Sequence, residues 1–434
     1  MLVLEVVVLL GCIVLAAKLR GIGVGLSGGL GMVIAVFLLG LAPGDLPITV
    51  MLIIMSVILA LAVMQQAGGM VYMVKTTERI LRNHPKYINF LAPASTFILT
   101  TLAGTEYSAM AVLNVIQQVA KENGVRPSQP LSSAVVSSQI AITASPISAA
   151  TATMYASLET MNVSFASCLA VIIPAAIFGS LVAAFIGSKQ GMELKDDPIY
   201  QERVEQGLVS FISPEQKSLE ATKEQKLSVF LFLGGIAFIV CMLLFKKSIG
   251  HTLSSQNLII ITMLFISLIM VFTCKVELPS IKKASIFIDG AESLIVVLGI
   301  VWLSATIIGA HIPEIKETAG NLLREYPGLL SVIFFCTSAL LFSQGATTAL
   351  LVPIAVSLNV DASTILASFI AVSAIQVTNI YPTTAFAIAT DDTGSFLNSR
   401  WNGSWIFNHP FFLPGTIGIF LAVPFGFMLA KFFV

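Results

Sequence analysis

Runs of about twenty apolar residues recur along this sequence, and they restrict its fold to helices that cross a membrane. A helix rising ~1.5 Å per residue needs roughly 20 apolar residues to span the ~30 Å hydrocarbon layer of a bilayer. Residues 2–19, 22–41, 48–66, 165–187, 227–245, 256–274, 285–308 and 405–430 are runs of this kind. Of the 434 residues, 56% are hydrophobic and only 11% charged, where soluble proteins average about 25% charged. That deficit excludes a soluble multidomain enzyme and a disordered chain. The 23 Lys and Arg balance 23 Asp and Glu, so no global field draws nucleic acid. Glu5 is the only early charge, an acid where a secretory signal would carry bases, so residues 2–19 are expected to remain as a span. Cys12, Cys168, Cys241, Cys274 and Cys336 lie singly in apolar runs, and neither a disulfide framework nor a metal site is expected.

The basic residues set the sidedness. With both chain ends outside, 18 of the 23 Lys and Arg fall on the inner face, which is the bias of cytoplasmic loops. Lys246 and Lys247 are the main exception. The longest polar segment, 188–226, then becomes a cytoplasmic connector between two halves, and its mixed charges read as a solvated linker.

The two halves carry one pattern. Residues 67–85 (AGGMVYMVKTTERILRNHP) and 309–327 (GAHIPEIKETAGNLLREYP) align without a gap, Leu81-Arg82 on Leu323-Arg324 and Pro85 on Pro327. Each has the polar–apolar mixture of a helix lying at the membrane interface. After each comes an apolar run that stops at small residues, AGTEYS (103–108) and SQGATT (343–348). A turn and another helix follow, then a second break before proline, ITASPIS (142–148) and TNIYPTT (378–384), and a closing span. Under the assigned sidedness the first half enters from outside and the second from inside. The reading is an all-α integral membrane protein of two inverted repeats, 1–187 and 227–434. Each repeat has transmembrane helices, an interfacial helix, a re-entrant helical hairpin and a broken helix. Paired interrupted hydrophobic segments point to a transporter binding site near the midplane.

Each break exposes one helix C-terminus and one helix N-terminus. The N-termini, near Ser108, Ile147, Thr347 and Thr383, offer free amides and partial positive charge to a carboxylate. The C-termini, near Ala103, Thr143, Phe342 and Thr378, offer carbonyls to Na⁺ or a proton donor. The candidate substrate site therefore takes Gly104, Thr105, Glu106, Tyr107 and Ser108 from the first hairpin, and Thr143, Ser145, Pro146 and Ser148 from the first broken helix. The second half adds Ser343, Gln344, Gly345, Thr347 and Thr348, then Asn379, Tyr381, Pro382, Thr383 and Thr384. Thr105, Thr143, Ser343 and Thr378 are candidate neighbours of a coupling Na⁺. Small residues also let membrane helices approach closely, but four breaks at corresponding positions ask for more than packing. No Lys or Arg lies within them, so a small anion would be held loosely, by dipoles and hydroxyls.

Glu106 stands out, because an ionisable group at mid-membrane costs about 2.5–3.5 kcal/mol or more. It is suited to carrying a proton, ligating Na⁺ or pairing with a substrate ammonium; a buried neutral acid bonded to a neighbour is the alternative. Asp289 and Glu292 follow Lys282 and Lys283 and read as salt-bridge partners near the interface. Asp391-Asp392 reads as a solvated turn with capping carboxylates. His84, His251, His311 and His409 read as interfacial.

At these residues the sequence resembles the anaerobic four-carbon dicarboxylate transporters of the Dcu (DcuA/DcuB) family. The likeness runs through RGIGVGLSGGLG (20–31), ILRNHPKY (80–87), RPSQPLSSAVVSSQIAITASPISAA (126–150), DDPIYQERVEQGLV (196–209), SALLFSQGATTALLVPIA (338–355), IYPTTAFAIATDDTG (380–394) and FNHPFFLPGTIG (407–418). It implies a bacterial inner-membrane carrier that exchanges or takes up fumarate, malate, succinate or aspartate during anaerobic growth. It also implies kinship with a superfamily of dimers whose substrate-holding domain moves like an elevator. The family's first hairpin is similar to Gly-Thr-Gly followed by Asn or His; Gly104 and Thr105 match, whereas Glu106 and Tyr107 depart. Residues 87–160 and 328–400 are the expected mobile part, with 1–66 and 227–308 as scaffold and dimer contact. A channel would want a continuous pore with a selectivity ring. An ATP-driven pump would want a Walker motif and an enzyme a paired catalytic His/Asp arrangement, and the sequence has neither.

Overall fold

The computed structural model describes residues 2–19, 22–46, 48–210, 221–245, 253–311, 323, 325–379, 381–397 and 407–434. All regular structure among them is helical, with no strand. Lipid offers no hydrogen-bond partner, so each apolar run satisfies its own backbone as a helix. In chain order the helices are α1 (Leu2–Leu19), α2 (Ile22–Val33, continued by a π turn Ile34–Leu38), α3 (Ile48–Gln66), α4 (Gly69–Asn83), α5 (Ile88–Ala103), α6 (Tyr107–Glu122), α7 (Ser128–Ala144), α8 (Ala149–Glu159), α9 (Phe165–Gly187) and the short α10 (Pro198–Glu205). There follow α11 (Lys223–Leu244), α12 (Ser255–Thr273), α13 (Ser285–Val296, a π turn Val297–Val301) and α14 (Trp302–Ala310). The last group is α15 (Leu329–Leu341), α16 (Gln344–Ser357), α17 (Ala362–Ser368, continued as a 3₁₀ helix Phe369–Val377), α18 (Pro382–Thr390) and α19 (Phe412–Phe433).

Most expected spans coincide with these helices. Five helices of the described residues are long and apolar enough to cross a bilayer unbroken: α9, α11, α12, the α13–α14 run and α19. Between α3 and α4 the chain bends by 75° around Gly68, which leaves the amphipathic α4 across the direction of α3 as an interfacial helix would lie. Its expected counterpart, 309–327, falls mostly outside the described residues. The last span begins later than the apolar pattern predicts, at Phe412 rather than 405, because the chain around Asn408-His409-Pro410 forms bends and a turn before the helix starts.

Two packed groups result. In one, α1, α2, α3, α12 and α13 lie together. Here α2 crosses α13 so closely that a Cβ on Gly299 would stand 1.9 Å from the Gly25 carbonyl oxygen, so this crossing requires glycine. In the other, α5, α7, α9 and α19 pack in succession, α16 lies on α8, and α18 lies on α6 and α7. At the centre of that group α7 buries Ser132, Ser133, Ser137, Ser138, Gln139 and Thr143. Hydroxyls there bond to backbone: Ser137 Oγ donates to the Pro93 carbonyl at 2.8 Å, and Thr96 Oγ1 to the Ala134 carbonyl at 2.7 Å.

Among the described residues of the connector, not all are solvated as its charges imply. Asp197 is completely buried and meets the equally buried Arg126 at 2.6 Å, and the Arg126 Nη2 donates to the Ser395 carbonyl at 2.6 Å. Nearby, Lys121 pairs with Asp392 at 2.7 Å, and the Ser210 backbone N–H and hydroxyl both donate to Asp392 Oδ2 at 2.9 Å. Asp391 does cap its turn, accepting from Thr393 N and Ser395 N, but Asp392 is an ion-pair partner rather than a solvated group. An apolar environment forces such charges into pairs. Three sequence segments, 117–128, 197–210 and 391–395, thereby close into one polar cluster.

One histidine departs from the interfacial reading, while another keeps its place at a span end but gains a partner. His409 is buried, with Nε2 3.2 Å from the Val377 carbonyl oxygen at the end of the 3₁₀ helix. His311 Nε2 lies 2.5 Å from Glu5 Oε2, which brings the first helix to the end of α14. His251 lies outside the described residues.

Candidate functional site

The four predicted breaks occur where the small residues and prolines place them. The first hairpin turns at Gly104, whose φ of +72° lets its N–H close on the Thr100 carbonyl at 2.8 Å. Ser108 Oγ donates to the Thr105 carbonyl at 2.9 Å and steadies the tip. In the second hairpin the corresponding turn is made by Phe342 at φ +51°, a left-handed conformation disfavoured for an L-residue. Ser343 then caps α16, its Oγ accepting from Ala346 N at 3.2 Å. Beyond α7 the chain is extended at Ser145 and again at Ser148, whose Oγ caps α8 by accepting from Thr151 N at 3.1 Å. The second broken helix is extended at Thr378 and Tyr381, with Pro382 opening α18. There the helix axis turns by 48°.

These breaks interlock across the two halves. The Tyr381 hydroxyl donates to Glu106 Oε1, joining the second break to the first hairpin tip. Gln344 Nε2 donates to the Gln139 carbonyl at 2.7 Å, and Gln139 Nε2 donates to Thr383 Oγ1 at 3.1 Å. Phe342 stacks on Tyr381 with ring centroids 6.5 Å apart.

A cavity of about 320 Å³ opens beside them, near the lower end of the ~300–1,000 Å³ common for small-molecule sites. On one wall stand Gly104, Thr105, Glu106, Tyr107, Ser343, Gln344, Gly345, Tyr381 and Pro382, all predicted from sequence. Facing them are Ala16 of α1, Val24 of α2, Ile53, Ile54, Val57 and Ile58 of α3, and Glu292 and Val296 of α13. The cavity thus lies between the two packed groups.

The remaining predicted residues stand behind this wall. Thr143 Oγ1 donates to the Ile140 carbonyl at 2.7 Å, Thr347 Oγ1 to Ser343, Thr348 Oγ1 to Gln344 and Thr384 Oγ1 to Tyr381. Ser108, Ser145, Pro146, Ser148, Asn379 and Thr383 likewise do not line the cavity, nor does Thr378. The first broken helix instead contributes Ile142, Ile147, Ala149 and Ala150. Ser145 Oγ and Thr378 Oγ1 are buried with no hydrogen-bond partner among the described residues.

Sequence reasoning missed Gln139, and it took Ile147 and Phe342 as helix ends without foreseeing that they line the cavity. A usable signal existed for the first: Gln139 and Gln376 are buried amides placed seven and six residues before the break prolines, Pro146 and Pro382. Glu292, read as a salt-bridge partner, makes no ion pair among the described residues and faces the cavity instead. The side chain of Asp289 lies outside the described residues.

Residues 1–434 match the family described as anaerobic C4-dicarboxylate membrane transporters. The chain belongs to that family. Across its full length the transporter is 44% identical over 438 residues to C4-dicarboxylate transporter DcuA of Escherichia coli strain K12, whose whole length is also covered. It is 44% identical over 435 residues to the DcuA of Wolinella succinogenes, with 99% of each chain covered. With the anaerobic C4-dicarboxylate transporter DcuB of Escherichia coli O6:H1 it shares 32% identity over 452 residues, covering 99% of this chain and 98% of that protein. These relatives are named as transporters, so the chain is a multi-pass membrane protein of a transport family and not an enzyme.

Proposed function

We propose that this chain is a secondary carrier that takes up or exchanges four-carbon dicarboxylates, among them fumarate, succinate, malate and aspartate, across the bacterial inner membrane. The observation that carries the proposal is the position of the cavity. Both hairpin tips and the second broken helix form one wall, and helices of the other packed group form the opposite one. A substrate there would be held by amides at the start of α6, α16 and α18 and by the hydroxyls of Thr105 and Ser343. Residues 87–160 and 328–400 then move as one body past a scaffold of 1–66 and 227–308, as an elevator. Two inverted repeats, 1–187 and 227–434, are supported by the order of hairpin, broken helix and closing helix in α5–α9 and again in α15–α19. The charge bias supports chain ends in the periplasm. The scaffold spans are the proposed contact of a homodimer.

Glu106 supports a refinement. Oε1 accepts from Tyr381, while Oε2 is buried without a partner among the described residues. A carboxylate beside a bound dianion is repulsive unless it holds a proton, meets a cation such as Na⁺ near Thr105 and Ser343, or faces an amino group. Glu106 therefore sets either a preference for an amino dicarboxylate or a coupling ion. Counterflow in proteoliposomes tests the main reading: unlabelled succinate or aspartate inside should accelerate entry of labelled substrate. A channel would show no such trans-stimulation, and its absence would exclude the carrier.

A further inference from the structure

The scaffold wall of the cavity is apolar except at one position. Glu292 stands on α13 between apolar neighbours that include Val24, Ile54, Ile58 and Val296, and it makes no hydrogen bond or ion pair among the described residues. An unpartnered carboxylate on an apolar membrane helix is costly and calls for a role. The opposite wall sharpens the problem. Glu106 Oε2 and Gln344 Oε1, on side chains 3% and 4% exposed, are both buried acceptors without partners among the described residues. No Lys, Arg or His lines the cavity among the described residues. A dianion resting on helix N-termini and hydroxyls thus meets a further negative charge across the gap.

Depth along the helices gives that charge a direction. Glu292 lies seven residues into α13, Ala16 three residues before the end of α1, and Val24 two residues into α2. In the proposed orientation those three helix ends are the cytoplasmic ones, so Glu292 stands in the inner part of the scaffold wall. Ile53 and Ile54, five and six residues into α3 from its outer end, continue that wall towards the other face. A body that slides outward carries Glu106 and Gln344 with it and leaves Glu292 behind.

We infer that Glu292 is a specificity-determining residue that opposes the dicarboxylate only while the cavity faces the inner half of the scaffold, and so makes the carrier bind more weakly on its cytoplasmic side. The inference rests on the carrier reading and adds an asymmetry to it. Repulsion is strong in a low-dielectric cavity and acts here as a built-in penalty against one bound state. Weak binding on the inner side speeds release there.

Exchange of labelled succinate by full-length protein in proteoliposomes of known orientation tests this, with KM measured separately on each face. For Glu292→Gln, KM on the inner face should fall about tenfold, the size expected when one nearby charge is removed at low dielectric. The outer-face KM should stay within about twofold, and Glu292→Asp, which keeps the charge, should resemble the wild type. No change, an equal change on both faces or a change on the outer face alone would overturn the inference. Should Glu292→Gln fail to insert, Val296→Glu adds a carboxylate one turn along the same wall and must raise the inner-face KM alone; an unaltered value overturns it as well. Wild-type protein without exchange would instead refute the carrier reading and take this inference with it.

Discussion

Single residues decide how this transporter handles charge in a medium that does not tolerate it. Glu106 is bonded to Tyr381 across the two halves. Replacing it with Gln keeps the shape and removes the charge, so the ratio of aspartate to succinate transport or its pH profile should change. If both are unaltered in proteoliposomes, Glu106 has neither proposed role. Asp197→Ala strands the buried Arg126 guanidinium, and removing one partner of a buried pair costs about 3–5 kcal/mol. The variant should show a lowered melting transition in detergent, and the Arg126→Ala/Asp197→Ala double variant a smaller loss than the single changes added together. For Asp392, burial works against the ionised form, but Lys121 and Ser210 outweigh it and hold the carboxyl below the usual aspartate range. A carboxyl lowered on folding stabilises fully above its unfolded value of about 3.9, and that contribution is lost as pH falls through the lower folded value. Melting of wild type and Asp392→Asn should therefore differ by a constant amount between about pH 5 and 8 and converge only below about pH 4.

At the scale of helices, stability depends on close crossings and on capped breaks. The α2–α13 crossing brings backbone against backbone, and Gly299→Ala would place a methyl 1.9 Å from a carbonyl oxygen. Overpacking costs ~1–3 kcal/mol where side chains can yield, and here only main chain could move. Gly299→Ala should abolish recovery of monodisperse protein by size-exclusion chromatography, while Gly29→Ala, with open space at its Cβ, should not. Ser148→Ala removes the cap of α8 and should cost about 1 kcal/mol, read as a small shift in melting with transport retained. The hairpin tips illustrate two solutions to one turn. Gly104 adopts the left-handed conformation freely, whereas Phe342 bears its steric cost and gains a ring that stacks on Tyr381 and lines the cavity.

For the whole molecule, the cavity lies where two packed groups meet, and the proposed carrier works by their relative movement. Joining Ile58→Cys on the scaffold wall to Ile147→Cys on the opposite wall with a bifunctional reagent should stop exchange, and each single cysteine variant treated alike should remain active. Retained exchange in the joined protein would refute the sliding motion. The connector belongs to this scale too. Through Asp197, Arg203 and Ser210 it is bonded to residues 121–128 and 391–395, so residues 197–210 are fastened to the hairpin and broken-helix group and should travel with it.

Much of the fold was legible because the bilayer allows so few solutions. Apolar runs of spanning length must be helices, and clusters of small polar residues with a glycine or proline marked where they break. The spans and the four breaks could therefore be read from residue order, although Pro174 and Pro424 lie inside unbroken α9 and α19. Nine of the predicted site residues stand on the cavity wall for that reason. What order could not reveal is which face of a helix meets which neighbour. Ser145 and Ser148 lie behind the wall while Ile147 between them reaches it, and only the packing of α7 and α8 decides that. Charge along the chain likewise did not disclose that Asp197 finds Arg126, 71 residues away, or that Glu292 turns from Lys282 and Lys283 towards the cavity. Local sequence determines where a backbone must end its hydrogen-bond ladder, because that is short-range chemistry. Which side chain then faces substrate depends on contacts between distant segments, and the folded bundle alone supplies them.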